Sequence, residues 1–152
     1  MRPWERWTFH VLSLAVTTSG FAYLWMKYFV QSEDPFALVN HPWQSSMLQV
    51  HVLASPPFIL VFGIILNSHI MRKLRATGVP HRKSGWVSLA TFAAMLSSGY
   101  LLQVVGSETW LSRLVAAHVA SAGLFTVSYA GHLILSATAV RQRSAVPVRE
   151  VG

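Results

Sequence analysis

The side chains with the most chemistry to offer are seven histidines, in a chain of 152 residues that has no cysteine. Two of them, His118 and His132, stand fourteen residues apart in the last apolar stretch, about Trp110 to Val140. Fourteen residues of α-helix rise about 21 Å, with an angular offset of only about 40°. Both imidazoles then fall on nearly one helix face, one towards each side of a hydrocarbon core roughly 30 Å thick. Ionisable groups are expensive in lipid and usually mark function there. Imidazole is a good iron ligand. Two imidazoles at two heights therefore suggest two stacked haems, each needing a second ligand at the same depth on another helix.

The other histidines divide by position. His51 lies early in the second apolar run, and His69 lies eighteen residues later at its far end. The spacing is five full turns, about 27 Å on one face. Ser55, Phe58, Phe62 and Ile65 fall on the same stripe. His10 sits near the start of the first run, with Ser13, Thr17 and Gly20 on roughly its side, small residues that would admit a flat macrocycle or a neighbouring helix. His41 belongs to a loop with Pro42 and Trp43, where an imidazole is cheaply solvated. His81 belongs to a basic loop.

The elements that must position these groups are four apolar runs, about Trp7–Val30, Met47–Ile70, Trp86–Val105 and Trp110–Val140. With 53% hydrophobic and 11% charged residues, the chain is too apolar for an ordinary soluble domain. The economical fold is all-α, a four-helix transmembrane bundle over residues 1–140 followed by a basic tail, 141–152. Ten of the twelve Lys and Arg fall at Arg2 and Arg6, at Arg72, Lys73, Arg75, Arg82 and Lys83, and at Arg141, Arg143 and Arg149. With four spans these lie on one side, so the positive-inside rule puts both termini in the cytoplasm. A basic rim facing anionic lipid accounts for the net charge of +7 without nucleic acid. The lack of cysteine excludes disulfides, iron–sulfur ligation and covalent c-type haem within the chain. The first run is longer than a signal-peptide core, and no A-x-A-like site follows it.

Residues 31–46 form an external loop interrupted by Pro35 and Pro42. Pro56 and Pro57 are expected to kink the second helix. The third helix has no histidine and reads as a packing wall through Ser88, Met95, Ser98, Gly99 and Gln103. Thr109 or Ser107 is expected to cap the fourth helix. There, Ser121, Phe125, Ser128 and Tyr129 share the histidine face, and Gly123 and Gly131 are expected at close helix contacts. No sequence repeat stands out. No phosphate loop, hydrolytic triad or paired-carboxylate site is present.

Depth sorts the ligands. The second and fourth helices both run inwards, so His51 and His118 share the outer level. His132 shares the cytoplasmic level with His10 and His69, either of which could complete a second pair. Two axial histidines fill the iron and leave an electron carrier.

This arrangement resembles the membrane cytochrome b subunits of formate dehydrogenases and Ni–Fe hydrogenases. The features in common are a histidine early in the first helix, one early in the second, and two spaced by fourteen in the last. The resemblance covers most of the four-helix core as spacing and topology. It implies two non-covalent haem b groups, ligated by His51 with His118 and by His10 with His132, and a quinone beside the cytoplasmic haem. The His41-Pro-Trp-Gln loop and His69 depart from that pattern. His69 is either an alternative haem ligand or a quinone-site group, and Asn67, His81 and Arg82 are further quinone-site candidates. His41 and Trp43 are candidates for contact with a haem propionate or with a periplasmic redox protein, either a multihaem c-type cytochrome or an iron–sulfur subunit. The expected function is electron transfer between the quinone pool and that partner in a bacterial inner membrane. A haem-free assembly or scaffold subunit, and a histidine-based metal or proton transporter, are the rival readings. The lack of a mid-membrane acid weighs against the transporter.

Overall fold

The first helix begins where its sequence supplies a start signal. Pro3 occupies the first helical position, where its missing N–H is no loss. Glu5 reaches back to accept from the Arg2 backbone N–H at 2.8 Å. The carboxylate thereby meets an orphan donor at the positive end of the helix. In this computed structural model α1 spans Pro3–Tyr28, α2 Gln44–Ile65, α3 Arg82–Leu101 and α4 Glu108–Ser144. The structure describes residues 2–67, 71 and 82–144, without the side chains of 82–85, 136, 137 and 139–144. Among the described residues there is no strand.

The chain divides into two compact units, residues 1–79 and 80–152. In the first, α1 and α2 pack as an antiparallel hairpin. Phe9 stacks on Phe58 at 5.4 Å and meets Phe62 at 6.3 Å. These rings, with Val61 and Ile65, make the buried apolar core of the unit. Asn40 pins the connection by donating its side-chain amide to the Lys27 carbonyl at the end of α1 and its backbone N–H to the Gln44 side chain at the start of α2. Helix α2 runs unbroken through Pro56 and Pro57.

In the second unit α3 and α4 form another antiparallel hairpin, with Phe92 against Phe125 at 5.6 Å. Ser107 directly precedes the first residue of α4, and its carbonyl accepts from Leu111. Helix α4 continues to Ser144, past the expected end at Val140.

Both hairpins expose most of their large apolar side chains, among them Leu14, Phe21, Trp25, Leu53, Leu60, Leu124 and Val127. Helices apolar all round require an apolar surrounding. Three helices are long and apolar enough to cross a membrane: Pro3–Tyr28, Gln44–Ile65 and Glu108–Leu135. The third apolar run is shorter than its sequence reading, because the chain leaves the helix after Leu101 and turns at 102–104. Its apolar helical part is Trp86–Leu101. Basic groups ride on aromatic rings where α1 ends and α4 begins: Lys27 lies over Tyr23 and Tyr28, and Arg113 over Trp110. Such pairs suit the headgroup layer.

Candidate functional site

Two of the candidate histidines are held in the same way. His51, on α2, is half-buried against α1, with its Nδ1 2.9 Å from the Val16 carbonyl oxygen. A carbonyl oxygen only accepts, so Nδ1 must carry a proton; in the neutral ring the lone pair is then on Nε2. The ring lies flush on α1 because Gly20, one turn after Val16, has no side chain. A Cβ there would stand 2.9 Å from both Cε1 and Nδ1 of His51.

His118, on α4, repeats this against α3. Its Nδ1 donates to the Met95 carbonyl at 3.0 Å and lies 3.4 Å from the Ser98 hydroxyl. Gly99, one turn after Met95, makes the space. A Cβ there would stand 2.8 Å from Cε1 and 3.1 Å from Nδ1 of the ring. His118 therefore has the same tautomer as His51, and each ring is fixed by a backbone carbonyl of the neighbouring helix. A metal-ligating histidine characteristically gives its other ring N–H to such a partner, which sets ring orientation and raises basicity.

The remaining candidates differ. His10 is half-buried on α1, its ring edge-on to Trp7 at 6.3 Å. His132 is exposed on α4, three residues past the half-buried Tyr129. His41 accepts the Trp43 backbone N–H on its Nδ1 at 3.1 Å. It thus carries its proton on Nε2, the opposite tautomer from His51, and shapes the turn into α2. Trp43 is exposed beside it, and Asn67 is exposed just past the end of α2. His69, His81 and the Arg82 side chain lie outside the described residues. Among the described residues no group of three or more His, Asp or Glu side chains gathers as a metal site.

The small-residue expectations are resolved unevenly. Gly20 admits a neighbouring helix, specifically the ring of His51. Gly123 and Gly131 do not make the close contacts expected of them: a Cβ at either meets no described atom within 4 Å. Of the faces read from helical periodicity, Phe58, Phe62 and Ile65 are buried on α2 and Ser121 and Phe125 on α4, whereas Ser55, Ser128 and Tyr129 are half-buried and His132 is exposed. Sequence reasoning missed the carbonyls of Val16 and Met95, which carry no side-chain signal. It also missed Ser19, a buried hydroxyl that precedes Gly20, whereas Ser98, placed in the packing wall of the third helix, is buried as expected.

No protein-family model, no curated protein and no solved structure matches this chain. What it does must therefore be argued from its own residues.

Proposed function

We propose that the chain is a dihaem b-type membrane cytochrome that exchanges electrons between quinone and a periplasmic redox protein. The observation supporting this most directly is that His51 and His118, within apolar hairpins, both direct Nδ1 at a backbone carbonyl of the neighbouring helix, which leaves Nε2 as the ligating nitrogen of a neutral ring. The donor set fits haem iron: imidazoles whose other ring nitrogen is held by a backbone carbonyl. His51 and His118 serve as ligands at the outer level, and His10 and His132 at the cytoplasmic level, with His69 as the alternative to His10.

Haem b, when bound, supplies a one-electron iron couple. The chain's own residues do the rest. The carbonyls of Val16 and Met95 each fix the orientation of one ring and the proton on its Nδ1. The phenylalanines about two turns further along, Phe58 and Phe125, exclude water. Asn67, His69, His81 and Arg82 offer polar contacts to a quinone headgroup on the cytoplasmic side. Trp43 and the His41 turn offer the external face to the partner. With α3 counted as a fourth span, Arg82 and Lys83 stand at headgroup level and both termini lie in the cytoplasm of a bacterial inner membrane.

A second reading is favoured by the same contacts. An imidazole that bridges two helices is also simple glue between them, since interhelical hydrogen bonds stabilise membrane hairpins. The chain would then be a haem-free scaffold. The protein purified in mild detergent decides between the two. The cytochrome reading expects a b-type reduced-minus-oxidised spectrum, two haems per chain, and loss of one in both His51→Ala and His118→Ala. Colourless protein after expression with ample haem supply would rule out the cytochrome.

A further inference from the structure

The two hairpins share more than a histidine. On the first helix of each, a seven-residue segment carries the same pattern: Ala15-Val-Thr-Thr-Ser-Gly-Phe21 in α1 and Ala94-Met-Leu-Ser-Ser-Gly-Tyr100 in α3. The serine does the same thing in both. Ser19 donates to Ala15 at 2.6 Å and reaches Val16 at 3.2 Å. Ser98 donates to Ala94 at 2.6 Å and reaches Met95 at 3.1 Å. The second carbonyl of each set is the one that receives the histidine. The glycine that follows bears the imidazole ring in both. A tryptophan lies thirteen residues before each glycine, Trp7 and Trp86.

The second helices match too, without gaps. Trp43, His51, Val52, Phe58 and Phe62 in α2 correspond to Trp110, His118, Val119, Phe125 and Tyr129 in α4. Phe58 and Phe125 meet a phenylalanine of their own first helix, Phe9 and Phe92 respectively. Those two partners sit at different heights, one turn apart relative to the glycines. The match is hidden in the linear sequence because the loops differ: Gly20 to His51 is 31 residues, whereas Gly99 to His118 is 19. No single period aligns both helices at once.

We propose that the chain is two copies of one helical hairpin, each built around the same imidazole clamp, and that Gly20 and Gly99 are the positioning residues that orient His51 and His118. The clamp has three parts on the first helix: a carbonyl that receives Nδ1–H, a serine hydroxyl on that same carbonyl, and a glycine one turn on that lets the ring lie against the backbone. It explains a pair of glycines that cost helix stability and that no turn requires. Only the role of the rings as iron ligands rests on the haem reading; the clamp does not.

The test is ¹⁵N-histidine NMR of the full chain in lipid nanodiscs, in its haem-free or dithionite-reduced state. The couplings that distinguish an Nδ1–H ring from an Nε2–H ring are read for His51 and His118, assigned through their loss in His51→Asn and His118→Asn. Both rings are expected in the Nδ1–H form. Gly20→Ala should remove that signature from His51 alone, and Gly99→Ala from His118 alone. Gly123→Ala and Gly131→Ala should disturb neither. Either ring found in the Nε2–H form overturns the proposal, as does an unchanged signature in both glycine variants. The wild-type tautomers decide the matter even if a glycine variant fails to fold. Colourless protein with both rings Nδ1–H keeps the clamp and removes the haem, whereas a dihaem spectrum with Nε2–H rings overturns the clamp and requires that the iron be held by other ligands.

Discussion

Replacing Gly20 by alanine sets two opposed effects against each other. In a helix interior alanine is favoured over glycine by roughly 0.8–1 kcal/mol. Against this, the new Cβ lies 2.9 Å from two atoms of the His51 ring. Ordinary contact begins near 3.4 Å, so the ring must retreat by about 0.5 Å. Overpacking of that kind typically costs about 1–3 kcal/mol. The same retreat stretches the 2.9 Å bond to the Val16 carbonyl towards the limit of useful geometry. An interhelical hydrogen bond in a membrane is worth about 0.6 kcal/mol on average and up to about 1–2. The net expectation is a loss of about 1–3 kcal/mol. Gly123→Ala meets no described atom and should keep the full helix-propensity gain, leaving the two variants about 2–4 kcal/mol apart. Equilibrium unfolding in mixed micelles, followed by helical circular dichroism as denaturing detergent is titrated in, measures the difference. A double-mutant cycle isolates its cause. With His51 already changed to alanine, Gly20→Ala should become as favourable as Gly123→Ala. If Gly20→Ala is stabilising in the wild-type background, or remains harmful without the ring, the steric argument is wrong.

The other expectations are shorter to state. Phe58→Ala removes a ring buried against Phe9 and should lower stability by about 3–5 kcal/mol in the same assay, whereas Leu53→Ala, on an exposed apolar face, should change it little. Asn40→Ala loses the bond to the Lys27 carbonyl and should cost about 1 kcal/mol, read as faster proteolysis in the loop between α1 and α2. If α3 is a fourth span, reporter fusions at either terminus should both report a cytoplasmic location; opposite locations would remove it from the membrane.

The elements were legible because their signals are local. Helix faces follow from a period of 3.6, so the stripe of Phe58, Phe62 and Ile65 and that of Ser121 and Phe125 could be read before any contact was known. The start of α4 next to Ser107 is likewise short-range. The length of the third apolar run was not legible, because hydropathy continues through Val104 and Val105 while the backbone turns at 102–104. Nor was the use of the glycines. Gly20, Gly99, Gly123 and Gly131 are the same residue in similar apolar surroundings, yet among the described residues only Gly20 and Gly99 face a ring.

By itself, then, the sequence determined an all-helical, cysteine-free chain, five of whose seven histidines fall in apolar runs. Composition and periodicity are properties of single segments. What only tertiary structure decided is which nitrogen of His51 and His118 holds the proton. That choice belongs to the carbonyls of Val16 and Met95, backbone atoms 35 and 23 residues away that no side-chain pattern could announce.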